Sequence, residues 1–240
     1  MKTRAAAVAA LLVLAGCGSA EQATSKPNTA GSQNAGSQKI GSCTPSSPEV
    51  TGAKTIAAVD LDGDGSQEKV RLTANGGACG STLFAKVQDG YVSTTLDSDG
   101  PDVISGYAVD PGGDGGQLLV TRADHPRGGF QLRIYSAASG QLEELEADGR
   151  ALLPFVATDV QEHPWSIDCS DDGLVVTEAV AHEPPGVAAA WDIQQTTYAV
   201  DDGTVTAGPT KEIADNVLPQ DLAVKYPDLV KHSAFESCRA

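Results

Sequence analysis

The chain has 240 residues and is strongly acidic, with 32 Asp and Glu against 16 Lys and Arg and a formal net charge of −16. Such a charge repels nucleic acid phosphates and anionic lipid headgroups, so nucleic acid is not expected as a partner. Cations and basic partners are compatible with it, and acidity by itself also keeps an exported protein soluble.

The first seventeen residues have the pattern of an export signal that ends at a cysteine. Lys2 and Arg4 form a short positive region, residues 5–15 are uninterruptedly apolar, and LAGC follows at 14–17. The apolar run is shorter than the roughly 20 residues that a helix needs to cross a bilayer. It therefore indicates a cleaved signal and not a permanent membrane span.

The LAGC sequence resembles the lipobox of bacterial lipoproteins, in which the cysteine is acylated and becomes the first residue of the mature chain. This resemblance implies cleavage of residues 1–16, a lipid on Cys17 and a location on the extracytoplasmic face of a cell membrane. The lipid is the only membrane attachment expected, because no other segment is long and apolar enough to span a bilayer. Cleavage would leave 14 basic against 32 acidic side chains, a formal charge of −18. The alternative is an ordinary secretory signal with an incidental cysteine.

Residues 18–42 consist mostly of Gly, Ser, Ala, Gln, Asn and Thr. A segment with so few large apolar side chains cannot bury enough surface to fold. Residues 17–42 are therefore predicted to be the acylated cysteine and a flexible tether, with a mean reach of about 25–30 Å. The folded extracytoplasmic domain is predicted over residues 43–240.

Four cysteines are left once Cys17 carries the lipid, namely Cys43, Cys79, Cys169 and Cys238. Outside the cytosol an even set predicts two disulfides, and the sequence alone does not separate the three possible pairings. Pairing Cys43 with Cys79 and Cys169 with Cys238 is favoured, because each bridge then ties a segment within one half of the chain.

The predicted domain is mainly β. Short alternating runs rich in Val, Ile, Thr and Tyr, bounded by Gly, Asp and Pro, are typical of strands. Such runs occur at residues 55–59, 69–72, 83–87, 117–121, 130–135, 174–177 and 196–200. Asp-Asp-Gly at 171–173 and at 201–203 predicts tight hairpin turns. A short C-terminal helix is predicted over residues 219–232, despite Pro227.

An internal repeat with a period of fifty residues organises the domain. IAAVDLDGDG at 56–65 is followed by GYAVDPGGDG at 106–115, and a weaker echo without the glycines occurs at 155–159. A period of this size indicates antiparallel β units of propeller-blade size. A propeller-like assembly and a sandwich of similar hairpins are both compatible with it. The predicted units cover about residues 50–95, 100–148 and, more weakly, 150–206.

The first copy of the repeat has a cation-binding pattern. Asp60, Asp62 and Asp64 alternate with other residues and are followed by Ser66 and Glu68. Oxygens at such positions of a tight loop converge on one hard cation, and calcium fits best because it accepts six to eight oxygens in irregular cages. The aspartates and Glu68 would give carboxylates, Glu68 directly or through water, and Ser66 its backbone carbonyl. The alternative is a solvated Asp-Gly turn without a metal.

An EF-hand is disfavoured, because its bidentate glutamate would fall on Arg71 and because the flanks are predicted strands. The loop instead resembles the Asp-x-Asp-Gly-Asp-Gly loops of FG-GAP and VCBS-type repeats, which occur in integrin-like β-propellers. The resemblance covers residues 55–72 well and 106–121 partly. It implies that calcium is structural and lies between two strands of a blade.

The second copy departs from this pattern. Asp110 and Asp114 are kept, but Gly112 and Leu118 stand where two further carboxylates would be needed. This loop is therefore expected to keep the fold and to bind calcium weakly or not at all.

No nucleophile elbow, phosphate-binding loop or zinc motif occurs in the sequence. The four histidines have no regular ligand spacing and are interpreted as surface or loop residues, and the two tryptophans as core residues. Glu143, Glu144 and Glu146 form a glutamate group that suggests acid-base work or, more simply, a solvated strand end. No catalytic residue is assigned.

The predicted function is that of a surface-anchored, non-enzymatic lipoprotein. Its monomeric β domain, stabilised by calcium, would bind an extracellular protein or a glycan that the sequence does not identify. Two alternatives stay open: an extracellular hydrolase that cleaves glycans with paired carboxylates, and a lipoprotein that binds a small ligand or a metal.

Overall fold

The structure, a computed structural model, describes residues 39–88, 90–96, 103–112, 116–126, 128–138, 140–157, 163–182, 190–201 and 203–238. The predicted signal segment 1–16, Cys17, Asp114 and most of the predicted tether lie outside these residues, as do residues 158–159 of the weaker echo. The described residues all belong to one compact unit. None of the helices they form is long and apolar enough to cross a membrane.

The protein is mainly β, as the sequence predicts, and its strands pair in antiparallel sheets. Two four-stranded sheets follow each other along the chain, and in each of them the strands are neighbours in chain order. The first sheet consists of β1 (Lys54–Val59), β2 (Glu68–Leu72), β3 (Thr82–Val87) and β4 (Gly90–Thr95). The second sheet consists of β5 (Val103–Val109), β6 (Leu118–Asp124), β7 (Phe130–Ala138) and β8 (Gln141–Glu144).

A short ribbon and a five-stranded third sheet complete the β structure. The ribbon pairs β9 (Glu146–Ala147) with β10 (Arg150–Ala151). The third sheet consists of β11 (Trp165–Ser170), β12 (Gly173–Ala181), β13 (Trp191–Asp201), β14 (Thr204–Ala207) and β15 (Lys211–Val217). Strand β13 pairs with β12, and its two ends pair with β15 and β14. Asp171 and Asp172 form the predicted turn between β11 and β12, whereas Asp202 of the other predicted turn lies outside the described residues.

The C-terminal helix predicted over residues 219–232 is divided into two. The helices of the protein are α1 (Pro48–Thr51), α2 (Pro219–Lys225) and α3 (Pro227–Lys231). Tyr226 between α2 and α3 has φ −132° and ψ 57°, outside the helical region. The ring of Pro227 disfavours helical backbone at the preceding residue and supplies no N–H, so one continuous helix cannot form.

Two hydrophobic cores hold the three sheets in series. Leu83 of the first sheet and Leu119 of the second are fully buried in one core. Val120 of the second sheet and Trp165 of the third are fully buried in the other. Neighbouring side chains of a strand point to opposite faces, so Leu119 and Val120 on β6 enter different cores. The second sheet is therefore buried on both faces.

Both cysteine pairs lie at disulfide distance, and they are the pairs that the sequence favours. Cys43 is joined to Cys79, and Cys169 is joined to Cys238. Ile40 is fully buried beside the first bridge. The folded part therefore already includes Ile40, ahead of the boundary predicted at residues 42–43.

His232 comes directly after α3 and packs against the core between the second and third sheets. Its ring lies 5.3 Å from the ring of Trp165 and 6.3 Å from that of Phe130, measured between centroids. The Nδ1 atom of His232 and the Nε1 atom of Trp165 are buried, and neither has a hydrogen-bond partner among the described residues. Burial lowers the pKa of His232 below its usual value of 6.5, so the folded protein favours the neutral ring.

We expect the contribution of His232 to the free energy of unfolding to decrease as the pH falls below about 6.5. The unfolded chain binds a proton at His232 more tightly than the folded protein does, so protonation favours unfolding. His232→Gln should reduce the slope of the free energy of unfolding against pH in this range, which urea unfolding at a series of pH values measures. The reduction should correspond to the uptake of less than one proton on unfolding. His163→Gln, at an exposed histidine, is the control. Equal slopes for wild type and His232→Gln would contradict the expectation.

Candidate metal centre

The acidic loop, residues 60–67, connects β1 to β2, and Glu68 is the first residue of β2. Val59 and Glu68 are directly paired across the two strands, so the ends of the loop are held side by side. Gly65 turns the loop with φ +85°, a backbone conformation that residues with a side chain rarely adopt.

The structure brings three of the five predicted ligands together. Carboxylate oxygens of Asp60, Asp62 and Glu68 all lie within 4.8 Å of one another, and we name these three residues the carboxylate cluster. Two oxygens that bind one calcium ion at about 2.3–2.6 Å are at most about 5 Å apart. The spacing in the carboxylate cluster is therefore compatible with a shared cation.

Backbone N–H groups orient the carboxylate cluster. Each of its three side chains has one oxygen that accepts a hydrogen bond from a main-chain amide, which fixes the direction of the carboxylate. The donors are Gly65 to Oδ2 of Asp60 at 2.9 Å, Leu61 to Oε2 of Glu68 at 2.9 Å, and Gln88 to Oδ2 of Asp62 at 3.2 Å. Backbone donors cannot rotate away as side chains do, so the three charges are held together by the fold.

The second oxygen of Asp60 has no hydrogen-bond partner among the described residues. Its Oδ1 atom is buried and accepts no hydrogen bond from any residue that the structure describes. A buried polar atom without a partner destabilises the folded state by about 1–3 kcal/mol. Such an atom in a group of carboxylates is an available ligand for a cation.

Asp64 is not part of the carboxylate cluster. Its Oδ2 accepts a hydrogen bond from Nε2 of Gln88 at 2.6 Å, and its Oδ1 accepts one from the backbone N–H of Ser66 at 2.7 Å. The bond from Gln88 is the main cause of a lowered pKa for Asp64, followed by the bond from Ser66. Gln88 lies in the turn between β3 and β4, which the spacing of the aspartates does not reveal.

Burial and neighbouring negative charges both oppose the ionisation of Glu68. Burial is the largest cause that raises the pKa of this side chain, and the hydrogen bond from the N–H of Leu61 acts in the opposite direction. The negative charges of Asp62, Asp64 and Asp60 raise the pKa further. A divalent cation would remove this repulsion, because it binds the ionised form of every carboxylate that it touches.

The second loop, residues 110–117, connects β5 to β6 as the acidic loop connects β1 to β2. Oδ1 of Asp110 accepts the backbone N–H of Gly112 at 2.8 Å, a contact within the loop. Leu118, at the position equivalent to Glu68, is buried in the core between the second and third sheets. Asp114 lies outside the described residues.

The second loop packs directly against the backbone of the acidic loop. Gln117 donates its backbone N–H to the carbonyl of Asp60 at 2.6 Å, and its Oε1 accepts the N–H of Asp60 at 2.9 Å. A Cβ atom on Gly116 would stand 2.6 Å from the carbonyl oxygen of Leu61, so only glycine fits there. Sequence reasoning misses Gln117, although the repeat contains a pointer to it, since Gln67 occupies the equivalent position in the first copy.

The tryptophans and the glutamate group singled out in the sequence lie in positions that suit a structural role. Trp165 and Trp191 are both buried, as their interpretation as core residues predicts. Glu144 forms a 3.0 Å ion pair with Arg133 across β7 and β8, and Glu143 is exposed. Among the described residues, these side chains add no further carboxylate to the cluster.

Comparisons of the chain with protein-family models, with curated proteins and with solved structures gave no match. The resemblance of the acidic loop to FG-GAP and VCBS-type repeats thus stays a prediction from the sequence. The chemistry of the site is inferred from its own geometry.

We expect Glu68→Gln to raise the melting temperature of the metal-free protein at pH 7 by a few degrees. The amide keeps an oxygen for the N–H of Leu61 and removes a charge that the folded state disfavours. Because the pKa of Glu68 is raised in the fold, the ionisation of this one side chain lowers the stability of the wild type as the pH rises above about 4.5, so the gain should be absent at pH 4.

The measurement is a series of thermal melts in chelator between pH 4 and pH 7. Glu146→Gln, at an exposed glutamate, is the control for removal of a negative charge. A Glu68→Gln protein that is no more stable than wild type at pH 7 would contradict the unfavourable ionisation of Glu68 argued above.

Proposed function

We propose that this chain is a lipid-anchored lipoprotein whose β domain lies outside the cytosol, is stabilised by calcium and binds another molecule without catalysing a reaction. The observation that carries the proposal is the carboxylate cluster, together with the buried Oδ1 atom of Asp60, which has no hydrogen-bond partner among the described residues. Like charges at this spacing stabilise a fold only when a cation joins them.

Calcium is the proposed ion because the cluster consists of hard oxygen donors on a loop. Asp60, Asp62 and Glu68 would hold it, and Asp64 and the backbone carbonyl of Ser66 are the proposed further ligands. Bound calcium would supply positive charge that offsets the repulsion between the three carboxylates. Its role would be structural, because it would fix the acidic loop at the edge of the first sheet.

The proposed location is supported by the LAGC sequence at 14–17 and by the two cysteine pairs. Disulfides persist in oxidising surroundings and are rare in the cytosol. A lipid on Cys17 would hold the domain at the membrane, with the segment after it as the tether. The proposed partner is an extracellular protein or a glycan. Nucleic acid is not proposed, because the acidic chain repels its phosphates. The domain is proposed to act as a monomer.

For the architecture we propose a propeller-like stack and not a two-sheet sandwich. The first and second sheets share one strand order, and consecutive sheets pack through the two cores. Three layers in series are typical of blades that follow each other, whereas a sandwich has two.

An extracellular hydrolase is a second candidate, favoured by the raised pKa of Glu68. Glycosidases need one carboxyl group with a raised pKa and a second carboxylate about 5–9.5 Å away. Oxygens of Asp60 and Asp62 lie within 4.8 Å of an oxygen of Glu68, which is short of that spacing. The two candidates differ in their response to Glu68→Gln. The hydrolase would lose turnover of a glycan substrate, whereas the binding module would lose only the effect of calcium.

Calcium should raise the melting temperature of the mature chain in detergent by about 5–10 °C at 100 times its Kd, because it binds only the folded state. Asp62→Ala should abolish the shift, because it removes one carboxylate of the cluster. Asp172→Ala, in a solvated Asp-Gly turn, is the matched control and should keep the shift. Identical melting of the wild type in calcium and in chelator would refute the metal site.

The lipid anchor makes a separate prediction. Cys17→Ser should move the protein from the membrane fraction to the soluble fraction of cells, because the acyl chains have no other attachment point. Immunoblots of the separated fractions measure this. Membrane association that survives the substitution would count against the anchor.

A further inference from the structure

We propose that Gln117 is a positioning residue for the acidic loop. Calcium binding by this loop of the first sheet would then depend on the contact between the first and second sheets. The inference rests on the proposed calcium function and deepens it, because it assigns a task to the degenerate second loop. The second loop would act as a support for the acidic loop and not as a second metal site.

Gln117 bonds both main-chain polar groups of Asp60. It donates its backbone N–H to the carbonyl oxygen at 2.6 Å and accepts the N–H on Oε1 at 2.9 Å. Asp60 follows the last residue of β1 and carries the buried Oδ1 atom that has no partner among the described residues. The backbone from which this carboxylate extends is therefore held in place from the second sheet, while the N–H of Gly65 orients the carboxylate itself.

Gly116 supports the same stretch of backbone. A Cβ atom at this position would lie 2.6 Å from the carbonyl oxygen of Leu61 and 2.9 Å from that of Asp60, so the two loops are in direct contact. The N–H of Leu61 is in turn the donor that orients Glu68. The second loop thus contacts the two residues that place two of the three carboxylates of the cluster.

The support itself is rigid because the next residues of the chain are anchored in the cores. Leu118 and Leu119 come directly after Gln117, and both are buried, one in each of the two cores. A glutamine fixed in this way supplies its hydrogen bonds without being ordered by the cation. Losing a group that orients metal ligands lowers metal affinity by about 10–100-fold.

Calorimetric titration of the mature chain in detergent with calcium chloride tests the inference. Gln117→Met removes the Oε1 acceptor at similar volume and should weaken calcium binding by about 10–100-fold. Gln117→Glu keeps an acceptor oxygen and should restore most of the affinity. Gln220→Met changes an exposed glutamine on α2, outside both loops, and should bind like the wild type.

Amide hydrogen exchange in chelator gives a readout that does not depend on the metal. Gln117→Met should accelerate exchange at Leu61 and Gly65, whose N–H groups donate to Glu68 and Asp60, while circular dichroism shows the fold intact. Wild-type affinity and wild-type exchange in Gln117→Met would overturn the positioning role alone. A wild type that binds no calcium would overturn the proposed function, and this inference with it.

Discussion

The burial of the second sheet on both faces is the constraint on which the rest of the structure depends. Leu119 and Val120 are neighbours on β6, yet each belongs to a different core. A strand held from both sides fixes the chain that leads into it, so Gln117 and Gly116 meet the backbone at Asp60 in one defined way. The geometry of the acidic loop is thus determined by packing to which none of its charged groups contributes.

Two opposing interactions act in the acidic loop: repulsion between its carboxylates and hydrogen bonds from backbone amides. Backbone amides hold three carboxylates within 4.8 Å of one another, although their charges repel and the pKa of Glu68 is raised. Amide hydrogen bonds offset part of this repulsion, but the buried Oδ1 of Asp60 is left without one among the described residues. Natural folds keep such local instability mainly at functional sites, where a ligand relieves it. The calcium proposal rests on this imbalance between repulsion and hydrogen bonding.

Local pattern predicts much of the fold, because strand alternation and turn residues depend on near neighbours in the chain. The same reasoning misses the division of the C-terminal helix at Tyr226, where the effect of Pro227 outweighs the helical spacing of Leu222, Tyr226 and Leu229. Ile40 is buried although its polar neighbourhood has no periodicity. The spacing of the aspartates cannot show that Gln88 binds Asp64, nor that a residue 57 positions away holds the backbone at the start of the loop. These contacts join residues that are far apart in the sequence, so no local sequence pattern predicts them.

A crystal structure of the protein grown with calcium, with anomalous data collected at long wavelength, is the most direct test of the calcium site. We expect one anomalous peak at the carboxylate cluster, with oxygens of Asp60, Asp62 and Glu68 at about 2.3–2.6 Å from it. An ordered acidic loop without a peak at saturating calcium would contradict the proposal.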